Sequence, residues 1–554
     1  MSSSEDAILT GADAAVAALE RLGVEVAFGL PGVHNLALWR ALHASGIRVV
    51  GVRHEQAAAY AADGYARATG RLGVAVVTTG PGAANTLGAV GEAWASRQPV
   101  LVIATDIPAS ARRPGVWRGV LHETTDQAAM FEPVTKKTVK VGNAGEISNA
   151  VEEAALAALT APSRPTYVQI PTDFLSEKPP AERRPAVPSV GGASAAASPD
   201  EAQLERAVQV LTHARSPLIW AGGGALQAGA GDAVARLAER LVAPVILTYS
   251  ARGLLPRGHP CLVEVPPHVP EAGALWDEAD AIVAVGSDLD GMMTQGFSQP
   301  EPRHLIAVNV DPADATKNYL PDVLVEADAG VAAAALADRL EPRGGLDALG
   351  QRLGALNRGV LAGLAATDAE AVGFLRAMER VLPADAVVVC DMCIPGYWLG
   401  GFHRSPAPRK LSYPLGWGTL GCAFPQGLGA ALAGAGPVVS VSGDGGFLFA
   451  CGELATAAQE RIALSAVIVD DGGYGMLRFD QDQRGDPHAG VDLVTPDFVA
   501  LAQSFGVRAD EVDGLGEHFE GMLGHHIRLD EPTVLVAKAG LSPPPNTSPR
   551  WYRR

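Results

Sequence analysis

The sequence is poor in cysteine, aromatic residues and positive charge, and it has no long apolar run. Five cysteines in 554 residues do not make a disulfide framework. Cys390 and Cys393 form a CxxC with no second pair, so buried thiols are expected there rather than a zinc site. No apolar stretch approaches the roughly 18 residues that a spanning helix needs. The opening MSSSEDAILT lacks the charged-then-apolar pattern of a secretory signal. Lys and Arg total 43 against 61 Asp and Glu, a formal charge of −18. That imbalance argues against nonspecific nucleic-acid binding and against a basic face docked on a membrane. The expectation is a cytoplasmic protein whose partners are small molecules.

What the chain has in plenty is Ala, Val and Gly. Hydrophobic residues make up 48% of it and aromatics only 5%, so small and β-branched side chains must build the cores. The length suffices for about three or four domains. Short β-branched runs alternate with Ala-rich helical patterns, which predicts an α/β protein of doubly wound parallel sheets. VEVAF, VAVVT and VLVIA read as strands of a first block, 1–180, in which Asn35 is placed to cap a helix beginning at Leu36. KPPAERRPAVPSVGGASAAASPD, at 178–200, reads as a linker. PLIWAGGGAL, PVILTYS, AIVAVGSDLD and HLIAVNVDP belong to a second block, 200–340. EPRGGLDALGQRLG reads as the next boundary. AVVVCDM, GPVVSVSGDGG, SAVIVDDGG and PTVLVAKA belong to a third, 365–554. Blocks of similar size suggest duplicated architecture, although no repeat is visible residue by residue.

In such sheets ligands sit at the carboxyl ends of strands. VVSVSGDGG is a strand entering a turn that carries Asp444, where Gly443, Gly445 and Gly446 let the backbone approach a ligand. GELATAAQE then begins a helix, whose N-terminus favours anions. SAVIVDDGG returns to the same edge and presents Asp470 and Asp471. Carboxylates beside glycine turns make a hard oxygen site suited to Mg²⁺ and phosphate oxygens. Taken alone, GDGG and DDGG read equally well as two tight turns.

The pattern resembles that of thiamine diphosphate enzymes, which carry GDG, some two dozen residues, and usually Asn-Asn. VRHEQAAAYAADGYARATG (52–70), TTGPGAANT (78–86), NVDPADATKN (309–318) and YPLGWGTLGCAFPQGLGA (413–430) resemble further segments of the acetolactate synthase, 2-oxo acid decarboxylase and benzaldehyde lyase-like group, in the right order. The resemblance covers most of the chain. It implies a pyrimidine-binding domain, a central Rossmann-like domain and a diphosphate-binding domain. It also implies Mg²⁺ held by Asp444, Asp471 and the Gly473 carbonyl, with Gly443, Gly445, Gly446, Tyr474, Gly475 and Met476 around the cofactor. Asp471 stands where the family has Asn, which adds negative charge beside the diphosphate. Gly418 is implied to accept a hydrogen bond from the 4′-amino group, and Leu420 to wedge the cofactor into its bent shape.

Glu55 is implied to be the carboxyl group that activates the aminopyrimidine; without the resemblance it reads as a helix N-terminal Glu favoured by the macrodipole. FGLPGVHN resembles the substrate-facing loop of several decarboxylases and carboligases, so His34 is implied to move protons, and His122 and Glu123 occupy a loop that carries Gln-Glu or His pairs in relatives. Each also reads as an ordinary loop residue. The activity implied is decarboxylation of a 2-oxo acid, carboligation through an enamine, or both. FGLPGVHNLALWRAL resembles the start of 5-guanidino-2-oxopentanoate decarboxylases, for which Glu123 and Asp480 are the acidic candidates. An Arg expected after AVG is absent from GSDLDGMM, which argues against FAD. The alternatives are a catalytically silent thiamine diphosphate-binding homologue or partner subunit, and a dehydrogenase, which would lack its G-x-G-x-x-G. The family's site is shared between subunits, so a homodimer or homotetramer is expected. The terminal SPPPNTSPRWYRR reads either as a lid or as a surface tail.

Overall fold

The computed structural model describes residues 10–113, 115–179 and 198–545. Most of the 178–200 stretch and of the C-terminal tail lies outside the described residues.

The first sheet holds β1 (Val26–Gly29), β2 (Arg48–Gly51), β3 (Gly73–Val77), β4 (Val100–Asp106), β5 (Lys137–Lys140) and β6 (Thr166–Pro171). The second holds β7 (Pro217–Ala221), β8 (Val245–Leu247), β9 (Leu262–Val263), β10 (Ala281–Val285), β11 (Leu305–Asn309) and β12 (Val323–Glu326). The third holds β13 (Val387–Cys390), β14 (Leu411–Ser412), β15 (Val438–Gly443), β16 (Ser465–Asp470), β17 (Arg508–Asp513) and β18 (Thr533–Lys538). All three are six-stranded, and every strand pairing within them is parallel. The chain is therefore α/β with three doubly wound parallel sheets.

The central strands are apolar on both faces because helices cover both; every residue of β3, β4, β7 and β10 is buried. The first and third sheets share one strand order, β2-β1-β3-β4-β6-β5 and β14-β13-β15-β16-β18-β17. The middle sheet, β9-β8-β7-β10-β11-β12, has the dinucleotide-fold order instead. The duplicated architecture thus applies to the outer pair.

Two helices lock the first and third sheets together. Helix Glu55–Thr69 lies against helix Ala423–Leu432. A Cβ on Gly64 would stand 2.0 Å from the Gln426 carbonyl oxygen, and one on Gly429 would stand 1.8 Å from that of Ala61. Only glycine permits this approach.

One local expectation changes, and two others gain detail. Asn35 occupies the N-cap position of helix Leu36–His43 but makes no side-chain cap. Its amide instead accepts from Gly32 N at 2.7 Å and donates to Leu30 O at 3.1 Å, pinning the GLPG turn. The boundary expected around 341–354 is largely taken up by a 22-residue helix, Leu346–Thr367. The helix after β15 starts at Asp444 itself and is short, Asp444–Leu448, with a separate helix at Leu454–Glu460.

Candidate active site

β15 and β16 are adjacent and parallel, with Gly443 opposite Val469. The register brings the GDGG and DDGG turns side by side at the carboxyl edge of the third sheet. They open into a cavity of about 230 Å³. Its lining includes Gly418, Leu420, Gly443, Asp444, Gly445, Gly446, Asp471, Gly473, Tyr474, Gly475 and Met476. Of the positions that the sequence assigned to the cofactor, all but Glu55 line this one cavity.

The geometry suits a cation and an anion together. Asp444 Oδ1 accepts from Gly445 N at 2.7 Å. Its Oδ2 is buried with no hydrogen-bond partner, a cost that a bound cation would remove. Burial, with Asp471 and Asp470 close by, pushes the Asp444 carboxyl up to about 7. Gly445, Gly446 and Gly473 cannot carry side chains: a Cβ there would stand 2.6 Å from the Tyr474 ring, 2.5 Å from Asp391 Oδ2 and 2.2 Å from Val491 O, respectively. Helix Gly475–Arg484 begins at the cavity, so its N-terminus faces the place a diphosphate would take. The residues present fit a diphosphate and its metal.

Asp391 is a part of the site that the sequence did not single out. It is buried at the end of β13 and accepts Gly421 N on both oxygens, at 3.0 and 2.9 Å. This ties down the turn that follows Leu420. Burial pushes its carboxyl up to about 6.

The remaining candidates lie on the first sheet. Glu55 begins helix Glu55–Thr69, is buried, and accepts from Asn85 Nδ2 at 2.9 Å. A Cβ on Gly82 would stand 3.2 Å from Glu55 Oε1, so the TTGPG turn packs on the carboxylate. His34 and His122 meet edge to face with ring centroids 5.1 Å apart. His34 Nδ1 lies 2.9 Å from Thr79 Oγ1, which donates to Thr105 Oγ1 at 2.9 Å. Burial and His122 hold the His34 imidazole below its ordinary range. Glu123 turns into its own loop, where Oε2 accepts from Arg118 N and Val120 N, each at 3.0 Å. It lines a different cavity, with Asp106, Arg112 and Trp117. The structure therefore brings His34 and His122 together and sets Glu123 apart from them.

Three family descriptions match along the chain: "Thiamine pyrophosphate enzyme, N-terminal TPP binding domain" over residues 9–130, "central domain" over 204–336, and "C-terminal TPP binding domain" over 393–537. A probable 2-ketoarginine decarboxylase of Pseudomonas aeruginosa is 36% identical over 92% of this chain and 90% of its own. The chain belongs to the thiamine pyrophosphate enzyme family. A probable acetolactate synthase large subunit of Methanocaldococcus jannaschii is 30% identical, covering 95% of this chain and 91% of its own. An acetolactate synthase large subunit of Parasynechococcus marenigrum is 32% identical, covering 90% and 82%. Membership of the family makes thiamine diphosphate the cofactor. Among the described residues no helix is long and apolar enough to cross a membrane.

Proposed function

We propose that this enzyme decarboxylates a 2-oxo acid with a cationic side chain, using thiamine diphosphate and Mg²⁺. The observation that carries the reading is the clamp cavity, where the unpartnered Asp444 oxygen, Asp471 and the glycine turns converge. Asp444, Asp471 and the Gly473 carbonyl would hold Mg²⁺. The Gly418 carbonyl and Leu420 would set the pyrimidine ring. When bound, the cofactor supplies a carbanion nucleophile and an electron sink for loss of CO₂. Glu55 would hold a proton against the aminopyrimidine, and the neutral His34 would take or return one at the substrate oxygen. The substrate class is supported by the decarboxylase relative and by FGLPGVHNLALWRAL. Asp480, on the helix that starts at the clamp, would be the acidic residue that recognises the cation. Carboligation is the second reading, favoured by the acetolactate synthase relatives.

The reading includes units at 1–180, 200–340 and 365–554, and a second copy of the chain at each site. Among the described residues, the clamp lining begins at Met392 and includes nothing from the first sheet. Apolar side chains stand exposed in both places: Val33 and Leu121, next in sequence to the two histidines, and Trp417, Phe449 and Leu477 near the clamp. A second copy would bring Glu55 to the clamp and cover both patches.

The test is CO₂ release from a panel of 2-oxo acids, including 2-ketoarginine, with cofactor and Mg²⁺ supplied. Glu55→Gln should lower release by about 10²-fold or more while leaving cofactor bound. No release from any acid by the cofactor-loaded protein would overturn the reading.

A further inference from the structure

The clamp contains more carboxylates than a metal–diphosphate site can use. Asp444, Asp470 and Asp471 all stand at the carboxyl edges of β15 and β16. Uncompensated, the pair Asp470–Asp471 would set two negative charges beside an anionic ligand. The structure gives each of them a nearby cation, which it shares with a more distant carboxylate: Lys538 also lies 3.7 Å from Glu511, and Arg478 3.8 Å from Asp492. Asp470 and Lys538 are opposite one another in the β16–β18 register and form an ion pair. Asp471 Oδ1 accepts from Arg478 Nη2 at 2.6 Å, and the same nitrogen donates to the Asp471 carbonyl at 2.7 Å. Arg478 lies on the first turns of helix Gly475–Arg484, so the element that opens onto the cavity also delivers this charge. Asp444 has no such partner, and its Oδ2 stays unpaired.

We propose that Arg478 and Lys538 are positioning residues that offset the charges of Asp471 and Asp470 at the clamp, leaving Asp444 as the clamp carboxylate with no ion-pair partner to be displaced by the metal. The acidic pair then behaves electrostatically as an amide pair would, which removes the penalty expected from Asp471. Arg478 also fixes the carboxylate by one oxygen, leaving the other, packed against Gly475, for the cation. The inference rests on the proposed clamp and concerns how its charge is balanced.

The experiment is isothermal titration of thiamine diphosphate, at fixed Mg²⁺, into the cofactor-free full-length protein. Arg478→Gln should weaken binding at least tenfold. The double variant Asp471→Asn/Arg478→Gln should return to within about threefold of wild type, because a neutral pair replaces an ion pair. Arg478→Lys should retain most of the affinity. The Arg478→Gln defect should shrink in high salt, since screening relieves repulsion between like charges but does not repair misfolding. Wild-type affinity in Arg478→Gln, or a double variant as weak as the single, overturns the proposal. Failure of the clamp itself reads differently: wild-type protein would take up no cofactor, or Asp444→Asn would bind as tightly as wild type.

Discussion

The proton-moving role proposed for His34 depends on two threonines. Thr79 donates its hydroxyl proton to Thr105, so its oxygen accepts from His34 Nδ1. That fixes the proton on Nδ1 and leaves Nε2 as the base. Because burial and His122 lower the pKa, with Asp106 pulling the other way, the neutral form persists below the ordinary value near 6.5. The rate should therefore hold as pH falls through 6.5 and drop only below it. Thr79→Val removes an acceptor that the imidazolium also needs. The acid limb of kcat/KM should move to lower pH and the plateau fall about tenfold, while Thr79→Ser restores both. A pH–rate profile of the three proteins checks this. An unchanged acid limb in Thr79→Val would show that the relay does not set the state of His34.

At the scale of elements, helix Glu55–Thr69 is held from two directions. Gly64 and Gly429 let it meet helix Ala423–Leu432 backbone to backbone. Along its flank, Asp63 accepts from Arg67 Nε at 2.9 Å and from Gln426 Nε2 at 2.7 Å. Arg67 reaches Glu92 at 3.3 Å, and Glu92 accepts Trp417 N at 3.0 Å, one residue from Gly418. The helix bearing Glu55 is thereby braced to the loop proposed to hold the pyrimidine. Gly64→Ala forces a methyl group into the Gln426 carbonyl, so it should cost about 3 kcal/mol or more, read as a lowered Tm in the cofactor-free protein. A Tm within a degree of wild type would show that the helices can separate freely.

The sequence announced this architecture unevenly. Strands such as VLVIA and AIVAV were legible because both faces are covered and the apolar run is unbroken. β5 (KTVK) and β17 (RADEVD) were not, because each is a polar strand at the edge of its sheet. The clamp was legible because its parts are short contiguous motifs. The partners of Asp470 and Asp471 were not: Lys538 is 68 residues away from Asp470 and reaches it only through strand register. Asn35 misled for a related reason, since cap position and cap hydrogen bond are separate facts.

For the whole molecule, the expected unit is at least two chains, because among the described residues nothing from the first sheet, Glu55 included, lines the clamp cavity. Light scattering on the cofactor-loaded protein should give a dimer or tetramer mass, and activity confined to a 57.1 kDa monomer would refute this. The close helix packing at Gly64 and Gly429 carries the idea one step further. In the proposed dimer it joins each Glu55 to a clamp that it would not serve, so lesions in the two halves of one chain would fall on different sites. Glu55→Gln protein and Asp444→Ala protein, each inert alone, should therefore complement when unfolded and refolded together. Random pairing puts the two lesions in opposite chains of half the dimers. There they fall on the same site and leave the other intact, so about a quarter of all sites should work.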